Sequence, residues 1–490
     1  METMAVLSDN NDINALRKKI DSFGVEVIFP DELQNDQNAT VCCNSILNLL
    51  PRLLSTVRYT GPSSVLKSFL PSHVSKINVG TGSWNPSLTI VFGKKKLNQE
   101  NVLYVGSAGW SCYLSSKNPC LWPVAQFNIL SSLYAAGLAV GEVFKQLMFE
   151  VPSCKISHLE YDLITHGKEK QPLLEPMLPD SIHFDDLTIV GCGAIGQALV
   201  FALKGVSRLW GMITLVDPDK LEPSNEQRYI GAFEEHRGLH KTQILSEWLA
   251  QINPGLRVLS VPQKYENYAD FEKPLGSEVI VAVDNEKTRL NVQAGLPKIL
   301  WNVWTDISKN TLRYGAGYHV LNNEYQCVAC GYFPETMPTP NQMDLNAIRT
   351  GFTVDEIKQK LESNAIVSSQ DLTQIIQKTG ASEAFLKPNL GKSFHELLHG
   401  DCGVFRIPFF ESPVVTPAPH TSFLAGVFLA SQIVLQRLKL PTTAKLMESI
   451  SDFDAFGIPN EQCLMKKQKH PKCFCDDPIY QESYKEKWNL

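Results

Sequence analysis

The stretch Asp185-Asp-Leu-Thr-Ile-Val-Gly-Cys-Gly-Ala-Ile-Gly-Gln197 decides the fold. Its first half is largely apolar and β-branched and predicts a buried strand, and its second half carries glycines at Gly191, Gly193 and Gly196. The apolar run Ala198–Leu203 predicts the helix that follows. Glycines at this spacing let the backbone approach a phosphate closely, and a helix N-terminus offers unpaired N–H groups to the anion. The stretch therefore predicts a strand, a nucleotide-binding turn and a helix.

Further strands and acids extend this unit. Met212–Val216 predicts a second strand that ends in Asp217, about 20 residues beyond the turn, where an acid that binds ribose is expected. Val258–Pro262 and Glu278–Val283 predict two more strands, and the latter is followed by Asp284. Strands that alternate with helices indicate a doubly wound, mainly parallel α/β sheet, whose ligands bind beyond the carboxyl ends of the strands. The glycine turn and both acids fall at that edge.

Composition sets the broad class of protein. A chain of 490 residues is too long for one ordinary core and predicts two or three domains. Its apolar fraction of 43% and charged fraction of 20% are typical of a soluble globular protein. A net charge of −6 without a basic stripe gives no sign of nucleic-acid binding. We expect no secretory signal and no membrane span, since the uncharged stretches Cys120–Gly141 and Ser412–Gln436 contain prolines and polar residues. Twelve cysteines without a signal predict reduced thiols in the cytoplasm.

Residues 1–150 predict an N-terminal α/β half. Two helical patterns and three strand patterns occur here: Asp12–Ile20 and Cys42–Val57, then Lys76–Gly80, Leu88–Phe92 and Asn101–Val105. Gly106–Trp110 loosely resembles the later glycine turn but lacks its spacing. The small-residue helix Ser131–Lys145 resembles a later one, Ser422–Arg437. Duplication of one unit and common packing demands both explain this likeness. Residues 151–185, rich in proline, predict a linker.

The polar residues around the glycine turn make the sequence more specific. The series consists of the turn, Asp217-Pro-Asp219, Ser224-Asn-Glu-Gln-Arg228, Lys241 and Asp284-Asn285. It resembles the motif series of the E1-like adenylating enzymes, the superfamily of the ubiquitin-activating enzymes and of the ThiF and MoeB activators of sulfur carriers. The resemblance covers about residues 185–335 and 400–440. Glu226 and Tyr229 depart from the usual family pattern, whereas Asn225 and Arg228 match it.

This resemblance implies a Rossmann-like fold in residues 186–335 that binds ATP and Mg²⁺. A carboxylate that attacks the α-phosphate of ATP needs its charge compensated and the pyrophosphate stabilised. We expect Arg228 and Lys241 to supply positive charge to the phosphates and Asn225 to hold an oxygen. We expect Asp284 to hold Mg²⁺. Asp217 is placed for the ribose hydroxyls, and Asp219 shares that task.

Cys327-Val-Ala-Cys330 is typical of a zinc knuckle. A tetrahedral Zn²⁺ site needs two more ligands, which we expect from Cys473 and Cys475, with His470 or Cys463 as alternatives. A buried or redox-active cysteine pair is the other interpretation of the motif.

Residues 336–404 predict a helical insertion and crossover loop, with helical patterns at Val354–Leu361 and Asp371–Gln377. Residues 405–490 predict the C-terminal part of the adenylation domain. In E1-like enzymes the crossover loop carries the cysteine that takes the activated carboxylate as a thioester, and Cys402, flanked by Asp401 and glycine residues, matches that position. A thiolate is nucleophilic and its thioester stays reactive. The other interpretation is an incidental loop cysteine.

The resemblance predicts an E1-like enzyme that adenylates the C-terminus of a ubiquitin-like protein and passes it through Cys402 to an E2-like carrier. The N-terminal half lacks matching acids and resembles the inactive half of two-part E1 enzymes, so adenylation domains pair within the chain or in a homodimer. Such an architecture resembles bacterial ubiquitin-like conjugation systems, including antiviral ones. A sulfur-carrier adenylyltransferase is the nearest alternative. An NAD-dependent oxidoreductase and a non-catalytic scaffold are more distant alternatives.

Overall fold

The computed structural model describes residues 13–68, 76–80, 85–120, 122, 127–149, 156–167, 176–206, 208–251, 255–268, 276–308, 311–321, 325–332, 346–347, 350–379, 383–398, 418–439, 449–466 and 468–490. The strands are β1 (Gly24–Ile28), β2 (Thr56–Thr60), β3 (Asn78–Val79), β4 (Leu88–Val91), β5 (Val102–Ala108), β6 (Ser111–Ser115), β7 (His158–Asp162), β8 (Ser181–Val190), β9 (Arg208–Val216), β10 (Leu256–Val261), β11 (Glu278–Val281), β12 (Ile299–Ser308), β13 (Thr311–His319), β14 (Ser449–Asp454) and β15 (Leu464–Lys466). The α-helices are α1 (Ile13–Ser22), α2 (Gln37–Leu49), α3 (Ile129–Met148), α4 (Ala194–Val206), α5 (Lys241–Ala250), α6 (Tyr265–Tyr268), α7 (Glu286–Ala294), α8 (Val354–Glu362), α9 (Ser369–Thr379), α10 (Glu383–Leu386), α11 (Phe394–Leu398), α12 (Pro419–Leu438) and α13 (Pro478–Trp488).

Two mixed, mainly parallel sheets organise the chain. The second sheet has the order β10-β9-β8-β11-β12-β13-β14-β15, with parallel pairing from β10 to β12 and antiparallel pairing beyond it. The carboxyl ends of β8, β9 and β11 therefore meet at one edge, as the sequence predicts. This arrangement confirms the predicted α/β, Rossmann-like fold.

The first sheet repeats that arrangement. Its order is β3-β2-β1-β4-β5-β6-β7, parallel from β3 to β5 and antiparallel from β5 to β7. In both sheets the first strand of the unit is central, the next two lie on one side, and the later ones lie on the other. Shared strand order is more than common helix packing requires, so it favours the duplication interpretation of the two halves.

Two helices rich in small residues join the halves. α3 and α12 are buried over nearly their whole length and pack against each other. A Cβ on Gly137 would lie 2.6 Å from a methyl of Leu424, and a Cβ on Gly426 would lie 2.6 Å from the Cβ of Ala198. Gly137 therefore allows α3 to approach α12 closely, and Gly426 allows α12 to approach α4 closely. α12 is long and apolar enough to cross a membrane, but 83% of its apolar window is buried inside the protein.

Two local predictions differ from the structure, and one loose sequence resemblance has no structural counterpart. The segment 151–185, predicted as a linker, contains β7 and the start of β8, because His158–Asp162 pairs with β6. The helix predicted over Cys42–Val57 ends at Leu49 and passes through a 3₁₀ turn at Pro51, where the missing N–H stops the helix. Gly106–Trp110 lies in the antiparallel β5–β6 hairpin, with Gly109 at φ +53°, and is no phosphate loop.

The described part of the insertion forms its own small core. α8, α9, α10 and α11 bury an apolar cluster that includes Phe352, Ile357 and Phe394. A capping box at Thr353 begins α8. Nζ of Lys360 lies 2.6 Å from Oδ1 of Asp371 and ties α8 to α9. The helices agree with the patterns that the sequence shows there.

Candidate active site

The glycine turn follows β8, and two of its three glycines have no room for a side chain. Gly191 has φ +99°, a conformation that glycine adopts without strain, and a Cβ there would lie 2.7 Å from the carbonyl oxygen of Ala282. A Cβ on Gly196 would lie 2.2 Å from the carbonyl oxygen of Gly191. A Cβ on Gly193 would make only ordinary contact, 3.4 Å from the Tyr229 hydroxyl. Gly191 and Gly196 thus shape the turn, whereas Gly193 keeps its open face clear.

Asp217 is fastened to the backbone of this turn. Its Oδ2 accepts a hydrogen bond of 2.7 Å from the N–H of Cys192, and its Oδ1 accepts one of 2.9 Å from the N–H of Asp219. Burial raises the pKa of Asp217, and the nearby ammonium of Lys241 opposes that shift. Each carboxylate oxygen keeps a lone pair, so the side chain can still accept hydrogen bonds from hydroxyl groups.

Lys241 begins α5 and points back towards the turn. Its Nζ lies 2.7 Å from Oδ2 of Asp219 and 5.4 Å from the centre of the Tyr229 ring. Burial lowers the pKa of Lys241, but Tyr229, Asp217 and Asp219 outweigh that effect and raise it overall. The ammonium is therefore a fixed positive charge at neutral pH.

The loop between β9 and α5 carries the remaining motif residues. Oδ1 of Asn225 accepts a hydrogen bond of 3.0 Å from the N–H of Glu222, and Asn225 is buried beneath the loop. Arg228 donates to the carbonyl of Ser224 at 3.1 Å, and its guanidinium lies 5.1 Å from the centre of the Tyr229 ring. The ring of Tyr229 thus lies close to two cations, and its hydroxyl faces Gly193. Tyr229, which departs from the usual family pattern, therefore contributes an aromatic ring that contacts both cations of the site.

Asp284 follows β11 and is exposed at the same edge. The next residue, Asn285, caps α7, since its Oδ1 accepts a hydrogen bond of 2.8 Å from the N–H of Thr288. This cap fixes the backbone that carries the carboxylate of Asp284. The exposed carboxylate is free of the capping task and suits a divalent cation, for which carboxylate oxygens are the usual ligands.

One cavity of about 1380 Å³ unites these residues. Most of the predicted nucleotide-binding residues line it: Gly191, Gly193, Asp217, Asp219, Arg228, Lys241 and Asp284. Asn225 and Gly196 do not line it; Asn225 caps the loop and Gly196 closes the turn. Cys402 lies outside the described residues.

The sequence motifs did not identify several cationic side chains that line the cavity. Lys264, Lys287 and Arg289 line the same cavity near Asp284. Arg289 is buried and donates to the side chain of Asn302 and to the carbonyl of Val283. Lys264 could have been identified from the sequence, because it follows a predicted strand and ligands of parallel sheets bind at the carboxyl ends of strands.

The cavity continues away from the glycine turn across the antiparallel strands. Trp304 and Asp306 of β12, His319 of β13, Ile450 of β14 and Met465 of β15 line this extension. Met465 is 46% exposed, so an apolar side chain stands open at the far end. The extension gives room for a chain that runs over the sheet towards the turn.

Four cysteines form a buried cluster beside the cavity, which Cys327 and Cys330 help to line. The Sγ atoms of Cys327, Cys330, Cys473 and Cys475 all lie within 4.8 Å of one another. Neighbouring sulfur atoms are 3.5 to 3.7 Å apart, close to the edge of about 3.8 Å that Zn–S bonds of about 2.3 Å give in a tetrahedron. The amide of Gln293 donates to Cys327 at 3.1 Å, and the N–H of His470 donates to Cys330 at 3.4 Å. The four residues predicted as ligands are thus brought together, and they fit a metal such as zinc.

Comparisons with known proteins place the chain in a family. The ThiF family profile matches residues 179–475. The uncharacterized protein y4jF of Sinorhizobium fredii is 25% identical over 505 aligned residues, which cover 97% of this chain and 92% of that protein. Ubiquitin-like modifier-activating enzyme 6 of mouse is 33% identical over 118 residues, which cover 22% of this chain and 11% of the mouse enzyme.

The tRNA threonylcarbamoyladenosine dehydratase of Escherichia coli is 33% identical over 107 residues, 21% of this chain and 38% of that enzyme. Among solved structures, E. coli MccB with AMPCPP and MccA aligns at 15% identity with a TM-score of 0.35, over 59% of this chain and 66% of MccB. The chain belongs to the ThiF family. It is therefore related to the E1-like adenylating enzymes, as the motif series predicts.

Proposed function

We propose that the protein uses MgATP to adenylate the C-terminal carboxylate of a ubiquitin-like protein and then captures the acyl group on Cys402. In the first step a carboxylate oxygen bonds to the α-phosphorus, the bond to the bridging oxygen breaks, and pyrophosphate leaves. In the second step the thiolate of Cys402 bonds to the carbonyl carbon, and AMP leaves. An E2-like carrier then accepts the acyl group on its own thiol.

The observation that carries this proposal is the set of residues that line the cavity at the carboxyl ends of β8, β9 and β11. Lys241 and Arg228 stand beside the open face of Gly193, where the phosphates of ATP would lie. Fixed cations aimed at a leaving pyrophosphate stabilise the charge that develops there. Asp284 would hold Mg²⁺, which neutralises phosphate charge when bound.

The size and shape of the cavity support a second, polymeric substrate. Its volume of about 1380 Å³ exceeds the roughly 300–1,000 Å³ of pockets for one small ligand. The extension along β12 to β15 would take the extended C-terminal residues of a ubiquitin-like protein and direct its carboxylate to the α-phosphate. An oxidoreductase for a small substrate has no need of that extension.

The partner arrangement follows from the two halves. Because α3 and α12 join them within one chain, we propose that the pairing typical of this family is internal and that no homodimer is required. Sedimentation at micromolar concentration tests this, with a monomer of 54.7 kDa as the expected species. Zn²⁺ would clip the tail after β15 to the loop after β13 through the four cysteines. The cytoplasmic location and the role in antiviral defence stay predictions.

The thioester step has a direct test. Incubation with ATP and a ubiquitin-like protein is expected to give a conjugate that thiols cleave, and Cys402→Ala should abolish it. Cys463→Ala is the matched control, since Cys463 is half-buried and outside the four-cysteine cluster. A conjugate that persists in Cys402→Ala contradicts the assignment. Adenylation with no conjugate in the wild type favours the sulfur-carrier alternative.

A further inference from the structure

We propose that Arg52, held by Asn48, is a positioning residue through which the N-terminal half sets the geometry of the loop that presents Arg228 and Tyr229. The proposal rests on the proposed adenylation activity and goes beyond it. Both residues lie at the end of α2 and its 3₁₀ extension, in the half that has no glycine turn at the matching strand end. None of the motifs in the sequence points to them.

The guanidinium of Arg52 is fixed within its own half first. Its Nε and Nη2 both donate to Oδ1 of Asn48, at 3.0 and 2.8 Å, and Nε also donates to the Asn48 carbonyl at 3.1 Å. Two donors on one side-chain oxygen set the plane of the guanidinium. A rigid fork of this kind loses little freedom on binding its next partners.

The outer edge of the same guanidinium then holds the loop of the other half. Nη1 donates to the carbonyls of Glu226 and Ala232, the latter at 3.0 Å, and Nη2 donates to the carbonyl of Ile230 at 3.1 Å. Nδ2 of Asn48 donates to the same Ile230 carbonyl at 3.2 Å. Arg52 and Asn48 thus hold the loop by hydrogen bonds on both sides of the Arg228–Tyr229 pair.

An aromatic contact and partial burial also hold the guanidinium of Arg52 in place. The guanidinium lies 5.3 Å from the centre of the Phe233 ring. Burial lowers the pKa of Arg52 to about 9, and Glu226 opposes the shift, so the group stays charged at pH 7. A partly buried cation depends on its hydrogen-bond partners to replace lost water, and here the loop carbonyls serve as those partners. The carbonyls of the loop are therefore kept in one arrangement.

The position of this loop in turn affects the residues that line the cavity. Arg228 and Tyr229 lie between the gripped carbonyls, and Tyr229 in turn faces Gly193 and carries Lys241 over its ring. Displacement of the loop would move both cations away from the phosphates. The N-terminal half would thus influence catalysis in the other half through three backbone carbonyls.

The test is steady-state ATP–pyrophosphate exchange by Arg52→Gln and Arg52→Lys in the full-length chain. Misplacement by about 1 Å can cost about 100-fold, so we expect kcat/KM for ATP to fall about 10- to 100-fold in Arg52→Gln. Arg52→Lys should restore little, because an ammonium cannot serve the planar set of carbonyls. Tyr134→Phe is the matched control: it removes a 2.6 Å hydrogen bond to Tyr314 between the halves, remote from the loop.

A double-mutant cycle separates positioning from mere structural support. If Arg52 acts through the loop, Arg52→Gln should cause a smaller fold loss in an Arg228→Ala background than in the wild type, because one of the two cations that the loop positions is gone. Equal fold losses in both backgrounds, or an equal loss in Tyr134→Phe, would overturn the proposal.

Failure of the proposed function gives a different pattern. If the wild type shows no exchange with any ubiquitin-like protein, adenylation of such proteins is wrong, and direct titration with ATP tests the positioning role instead. Arg52→Gln should then bind ATP at least about 10-fold more weakly than wild type. Unchanged ATP affinity, or a wild type that binds no ATP, overturns the positioning role.

Discussion

Nζ of Lys241 lies 2.7 Å from Oδ2 of Asp219, and the backbone N–H of Asp219 donates in turn to Asp217, which holds the glycine turn. The cation, both acids and the glycine turn are therefore one connected unit. A shift in any of its members would move the others.

Replacement of Lys241 should disable catalysis with little loss of fold. Lys241→Met removes the fixed cation and leaves two acids uncompensated beside the phosphates, so pyrophosphate exchange should fall by about 100- to 1,000-fold. Lys298→Met is the control, since Lys298 is exposed and outside the cavity. Activity within about threefold of wild type would show that Lys241 is not in the phosphate site.

Two glycine substitutions should separate binding from folding. In Gly193→Ala the new methyl meets the Tyr229 hydroxyl only at 3.4 Å, so the fold tolerates it while the phosphate cradle narrows. ATP affinity should fall at least about tenfold, measured by calorimetry, with little change in Tm. Gly426→Ala places a methyl 2.6 Å from the backbone N of Leu199 and should instead cost about 1–3 kcal/mol of stability through overpacking. The reverse pattern would contradict the assigned roles.

The four-cysteine cluster should bind about one zinc ion per chain, measured by elemental analysis. Cys473→Ser should lose the metal and lower Tm, because the ion joins the tail to the β13 side of the sheet. Cys463→Ser should keep it. A full metal content in Cys473→Ser, or none in carefully purified wild type, would exclude a structural zinc site.

His420 should make the protein acid-sensitive. Burial lowers its pKa to about 3, whereas the unfolded chain binds a proton near pH 6.5. Its contribution is full above about pH 6.5 and is lost as the pH falls towards 3, at about 1.4 kcal/mol per pH unit. Tm measured against pH should be flatter in His420→Leu, while the exposed His183→Leu should keep the wild-type slope. Equal slopes in both variants would contradict this prediction.

Local sequence was enough to predict the second sheet and much of its site. The glycine turn, Asp217 and Asp284 each follow a strand directly, so chain order alone places them at one edge. The cysteine pairs were recognisable because each pair is close in sequence.

Long-range packing explains what the sequence did not reveal. Arg52 reaches the loop through contacts about 180 residues away along the chain, and Asn48 and Arg52 carry no motif. The sequence marked Tyr229 only as a departure from the usual family pattern. Its contact with Lys241 could not be predicted, because that contact depends on where α5 packs. The strand β7 is short and lies in the proline-rich segment that was predicted as a linker, so only its pairing with β6 identifies it.

The central claim is that this chain activates the C-terminal carboxylate of a ubiquitin-like protein. The most direct measurement is ATP–pyrophosphate exchange with a ubiquitin-like protein, compared with the same protein amidated at its C-terminus. We expect exchange with the free carboxylate only, and loss of that exchange in Lys241→Met. Exchange that is equal with the amidated protein, or absent from wild type with every ubiquitin-like protein offered, would contradict it.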